Sequence, residues 1–153
     1  LRRGGLTTTT GGAPINNTVI LTGDIHTSWA MDITEDPNNP TGYMAVNNSM
    51  AVEFVAPSVT SPGLEALNRE PVLSALQTQN PHIKYLELAT HGYVILDIDA
   101  DRTQAEWHYT TDILSRGGSE YFAKAFKTDF NANRVVATTI PASPNPNRPP
   151  NVA

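Results

Sequence analysis

The stretch Asn16-Asn17-Thr18-Val19-Ile20-Leu21-Thr22-Gly23-Asp24-Ile25-His26-Thr27-Ser28-Trp29-Ala30 organises the reading of this chain. Its apolar run, Val19-Ile20-Leu21, is bounded by turn formers and stops at Gly23, the pattern of a central strand buried on both faces. Polar chemistry begins at once beyond it. Asp24 and His26 are two residues apart, and in an extended chain residues i and i+2 share a side. A carboxylate and an imidazole are therefore expected to converge just past a strand end, where sheet proteins place ligand sites. Gly23 has no Cβ and lets a ligand or a second backbone come close.

Two such donors make half a metal site. A carboxylate oxygen suits Ca2+ or Fe3+ and an imidazole nitrogen suits iron or zinc, so the pair can bridge or divide two unlike metals. The four-residue pattern is equally met by Asp24 capping a turn and His26 serving as a structural histidine.

Beyond the turn, Trp29, Met31 and Ile33 alternate with Ala30 and Asp32, which predicts a second strand with one buried face. Residues 35–48 read as a loop, and Met50 to Val55, apolar except for Glu53, as another buried strand. Ala56-Pro57-Ser58-Val59-Thr60-Ser61-Pro62-Gly63 cannot continue it, because two prolines and a glycine forbid regular structure. Its hydroxyls can line a site or cap turns. Ser61-Pro62 ahead of Leu64 and Leu67 reads as a helix start, and Pro71 opens a second short helix to about Gln79. From Ile83 the period becomes two. Runs at Ile83–Leu88, Tyr93–Ile98 and Thr103–Tyr109, parted by turn signals, predict a three-strand antiparallel meander. Tyr121, Phe122, Ala125 and Phe126 fit helical spacing over residues 119–127, with Ser119 as cap. Val135 and Val136 suggest a short strand, and residues 141–153 an extended, Pro-rich tail.

His82 is the third candidate site residue. It follows Pro81 at a helix end and precedes a strand, so a loop position facing the site would let it act as general acid toward a leaving alkoxide. The other reading is a loop histidine bonded to backbone carbonyls. His91, in a turn, and His108, in an alternating strand, read as structural or exposed.

Four blocks occur in order: Gly-Asp-Ile-His-Thr-Ser-Trp-Ala at 23–30, Ala-Val-Glu-Phe-Val-Ala-Pro-Ser-Val-Thr-Ser-Pro-Gly at 51–63, Asn-Pro-His-Ile-Lys-Tyr at 80–85 and Gly-Tyr-Val-Ile-Leu-Asp-Ile at 92–98. Together they resemble the C-terminal part of the PhoD-like alkaline phosphatases, a branch of the calcineurin-like metallophosphoesterases. The resemblance covers residues 1 to 112. It implies an α/β (α+β) fold, part of an αββα sandwich with mixed and antiparallel strands and short helices. Residues 1–115 would be the C-terminal half of a metallophosphoesterase domain, 116–140 a C-terminal helix and extension, and 141–153 the tail. The implied metals are Fe3+ and Ca2+. Asp24 and His26 match the family's last pair of metal ligands. The family's earlier ligands, a cysteine, a bridging aspartate and an asparagine, belong to an N-terminal half that is absent from this sequence. The resemblance also implies a phosphate ester substrate, a secreted or periplasmic location, and a fragment that is inactive without its missing half.

Composition agrees with a loop-rich, β-rich body: among 153 residues there are 12 prolines and 10 glycines, and only 16% are charged. The net charge of −5 excludes an extensive nucleic-acid-backbone surface. The absence of cysteine excludes disulfides, and no apolar stretch reaches the length of a membrane span. The alternative to a hydrolase is a non-catalytic domain that docks a partner through the aromatic segment Tyr121, Phe122 and Phe126.

Overall fold

A computed structural model describes residues 15–37 and 49–142. The expected Pro-rich tail from 143 onward, the lead-in before Ile15 and the greater part of the 35–48 loop lie outside the described residues. Chain order is β1 (Val19–Thr22), β2 (Ser28–Thr34), β3 (Ser49–Val55), a 3-10 turn (Glu65–Leu67), α1 (Glu70–Gln79), β4 (Ile83–Glu87), β5 (Gly92–Ile98), β6 (Arg102–Thr110), β7 (Glu120–Asp129) and β8 (Val136–Thr138). α1 starts as its sequence dictates, with a proline in its first turn where the missing N–H costs nothing.

The strands form two four-stranded sheets. The first has the order β1-β3-β2-β4 and is mixed, with β1 parallel to β3 and the other pairs antiparallel. The second, β5-β6-β7-β8, is wholly antiparallel. They meet through one core. Ala30, Val52 and Phe54 of the first sheet pack with Ala105, Trp107, Tyr109 and Phe126 of the second. Trp107 is its centre, edge-on to Phe54, Tyr85 and Phe126 at centroid distances of 5.9, 5.5 and 6.0 Å. Its indole N–H donates to the Val55 carbonyl at 3.1 Å, and the Tyr85 and Tyr109 hydroxyls meet at 2.6 Å, so polar bonds also join the sheets. Burial raises the Tyr109 phenol to about 12 and pushes that of Tyr85 further up, keeping both neutral hydrogen-bonding groups.

Several sequence expectations change. The 119–127 helix is a strand: β7 pairs with β6 from Arg102↔Asp129 to Thr110↔Glu120. Ala125 and Phe126, adjacent and pointing to opposite faces, are both buried. One face meets the core, while the other lies on the side where Gln104 donates to the Ile140 carbonyl and the Ala142 amide to Glu106. A strand covered on both faces loses its period-two signature, which is why the aromatic spacing imitated a helix. The three-strand meander is also regrouped, because β4 leaves it to pair with β2, and the meander is instead β5-β6-β7.

β2 has the single fully buried face that its alternation predicts, formed by Ser28, Ala30 and Asp32, while Trp29, Met31 and Ile33 are half-buried. Asp32 is tolerated inside because its carboxylate accepts from the Val135 amide at 2.6 Å and faces Arg134 and Lys84 at 3.5 and 3.7 Å. Finally, β1 is an edge strand among the described residues, not a central one, and Leu21 is 56% exposed. The helical layers of an αββα sandwich are likewise not seen among the described residues, where the helical structure is α1 and a 3-10 turn.

Candidate functional site

Parallel pairing brings the carboxyl ends of β1 and β3 to one end of the first sheet, and antiparallel pairing brings the start of β2 and the finish of β4 to the same end. The Gly23–Thr27 turn sits there. It is not extended: Asp24 and His26 have φ of 68° and 60°, in the left-handed region. Asp and His are among the non-glycine residues that enter this region most readily, as turn residues do. The alternation argument therefore does not describe how these two side chains are placed; the turn itself does. Asp24 is exposed and His26 half-buried. The turn is closed by the Ile25 amide on the Gly23 carbonyl at 2.8 Å, and anchored by buried Thr27, whose hydroxyl accepts from the Trp29 indole at 2.6 Å.

The His26 ring is fixed by the loop after β3. Its Nδ1 lies 2.9 Å from the Pro62 carbonyl oxygen. A carbonyl can only accept, so Nδ1 carries the proton and the lone pair is on Nε2. Metal-binding imidazoles are commonly oriented in this way by a backbone carbonyl.

The loop that provides the carbonyl is itself braced. Ser58 Oγ accepts from the Thr60 and Ser61 amides at 3.1 and 2.6 Å, so this serine holds the turn, as capping chemistry expects. The Gly92 amide donates to the Ser58 carbonyl at 3.0 Å and the Leu64 amide to that of Leu88 at 2.7 Å. Gly63 is required here: a Cβ would stand 2.6 Å from the Leu88 carbonyl oxygen and 3.1 Å from that of His26. Glu65, whose carboxylate accepts from the Gly63 amide at 2.9 Å, is held below the usual carboxylate range by its backbone hydrogen bonds.

His82 is elsewhere. Ile83, the next residue, pairs with Met31, whereas Glu87 at the other end of β4 pairs with Ser28 beside the turn. Four residue steps of strand, about 13 Å, separate the two ends. His82 instead lies beside Asp32, whose amide donates to its carbonyl at 2.9 Å. Burial, followed by the Lys84 charge, lowers its pKa against the opposing pull of Asp32. The structure thus does not bring His82 to Asp24 and His26, and its candidacy as their general acid is corrected. The histidine at the right end is His91, set aside on sequence as structural or exposed. Its Nε2 lies 3.0 Å from the Ser61 carbonyl, next to the carbonyl that holds His26. Nothing in its local sequence signals this, because the contact spans 30 residues.

As a metal centre the arrangement is partial. Among the described residues no group of three or more His, Cys, Asp or Glu side chains could hold a metal ion. What is present is one carboxylate and one imidazole with an oriented ring, a donor set that fits a share of a site and not a whole one. No described helix is long and apolar enough to cross a membrane.

Comparison with known proteins matches this picture. Alkaline phosphatase D of Bacillus subtilis (strain 168) is 29% identical over 129 residues, which is 82% of this chain and 21% of that protein. The chain therefore spans about a fifth of the curated relative's length. The solved structure of PhoD aligns with a TM-score of 0.66 at 23% identity, over 83% of this chain and 23% of its own, a likeness of fold. The family model of the PhoD-like phosphatases matches residues 1–107, and the chain belongs to the PhoD-like phosphatase family.

Proposed function

We propose that this chain is the C-terminal portion of a metal-dependent phosphate ester hydrolase of the alkaline phosphatase D or phosphodiesterase type. It would contribute two ligands to a centre whose other ligands come from a segment outside these 153 residues, completing the αββα sandwich. The observation that carries this reading is the Nδ1–H of His26 on the Pro62 carbonyl, which leaves Nε2 as the ligating atom at the end of the first sheet. Asp24, exposed on the same turn, adds the carboxylate.

The metals most in keeping with this donor pair and with the family are Fe3+ and Ca2+, the imidazole favouring iron. When bound, they supply positive charge for phosphate oxygens and lower the pKa of water. The chain's own work is to hold His26 in one tautomer, to present the exposed Asp24 carboxylate on the same turn, and to keep the 58–63 loop closed beneath it.

The reading is tested with p-nitrophenyl phosphate. The 153 residues alone are expected to turn it over negligibly even with iron and calcium, and the protein carrying the remaining ligands is expected to be active. Robust metal-dependent turnover by the 153 residues alone would overturn the division of ligands. The partner-docking alternative is left with Tyr121, 47% exposed, since Phe126 is in the core and Phe122 half-buried in a strand rather than on a free helix face.

A further inference from the structure

Two imidazoles from distant parts of the chain grip consecutive carbonyls of one loop: His91 Nε2 on Ser61 at 3.0 Å and His26 Nδ1 on Pro62 at 2.9 Å. We propose that His91 is a positioning residue for the Asp24/His26 turn, fixing through Ser61 the peptide whose neighbouring carbonyl sets the tautomer of His26. This rests on the reading of His26 as a metal ligand.

The argument runs through what holds each group. Ser61 O can only accept, so His91 carries its proton on Nε2. His91 is itself tied to the second sheet, its carbonyl accepting from the Thr110 amide at 3.0 Å, and the adjoining Gly92 amide bonds the Ser58 carbonyl at 3.0 Å. Gly92 cannot be replaced, since a Cβ there would meet the His108 carbonyl oxygen at 2.0 Å, so the backbone carrying the imidazole is pressed against β6. The loop is thus clamped between a rigid strand start and His26. Without the His91 donor, the Ser61 carbonyl loses its side-chain partner; the Ser61 amide stays on Ser58 Oγ at 2.6 Å and the Gly63 amide on Glu65 at 2.9 Å, so the loop persists while the Ser61–Pro62 peptide between those anchors is free to tilt. His26 would then populate the tautomer protonated on Nε2, which blocks the ligating lone pair.

The test uses long-range proton–nitrogen NMR of the 153-residue chain at pH 8, where both rings are read directly. Wild type should show His26 protonated on Nδ1 with a bare Nε2. His91→Ala, and His91→Phe, which keeps a ring without the donor, should give a mixture of His26 tautomers. His91→Gln, which can donate to Ser61, should restore the wild-type pattern. In the metal-loaded, full-length protein the two donorless variants should lower iron affinity roughly 10- to 100-fold. An unchanged His26 tautomer in a folded His91→Phe chain would overturn the positioning role. Unchanged iron affinity on His26→Ala would instead overturn the reading of His26 as a ligand, whatever the NMR shows.

Discussion

Removal of the Trp107 side chain should show how far the two sheets depend on each other. The residue is fully buried, touches three aromatic rings drawn from both sheets, and donates its N–H to the Val55 carbonyl across the interface. Trp107→Phe keeps a ring but removes the hydrogen bond to the Val55 carbonyl, at a cost of about 0.5–1.5 kcal/mol. Trp107→Ala adds the lost packing and the cavity, for a total of about 3–5 kcal/mol. Native stability is commonly about 5–15 kcal/mol, so the alanine variant forfeits a large share of it. At roughly 2–4 °C per kcal/mol for a chain of this size, Tm should fall by roughly 6–20 °C. Urea denaturation followed by far-UV circular dichroism measures both variants, and Trp29, then the sole tryptophan, gives an independent fluorescence readout. A loss below about 1 kcal/mol for Trp107→Ala would refute the shared core.

Other predictions follow from the corrected elements. Asp32→Ala removes the buried carboxylate that accepts from the Val135 amide and faces Arg134 and Lys84, and should cost about 1–3 kcal/mol by denaturant titration. Phe126→Ala should cost about 3–5 kcal/mol and Tyr121→Ala, 47% exposed at the end of the same face, about 0.5 or less; equal costs would contradict the burial of Phe126 in the shared core. The lowered pKa of His82 means that the unfolded chain takes up the proton first as pH falls below about 6.5. Its contribution is therefore intact above that pH and lost on acidification, so Tm measured from pH 8 to pH 5 should fall less in His82→Gln than in wild type. The same slope in both would exclude the effect.

Much of the fold was legible because local chemistry and tertiary role coincide. The apolar runs at β1 and β3, the Pro-marked start of α1 and the alternation of β5 and β6 all lie where the sequence puts them. The Gly23–His26 turn was found from composition, although it is positive φ, not an extended chain, that shapes it. The failures share a cause. β7 disguised itself because its second half, where Ala125 and Phe126 point to opposite faces, is buried on both. Which face of β2 is the buried one was obscured because Asp32 is neutralised by Arg134, about a hundred residues away. His82 falls away from the turn because Glu87, not Ile83, is the end of β4 that meets the start of β2, a fact of pairing that no local pattern carries.

The central claim is that Asp24 and His26 are this chain's metal ligands and His82 is not. Elemental analysis of the native full-length protein and of Asp24→Asn, His26→Ala and His82→Ala, each confirmed folded, tests it most directly. The account predicts that the first two variants lose bound metal and most phosphatase activity, while His82→Ala keeps both. A full metal complement in folded His26→Ala would contradict it.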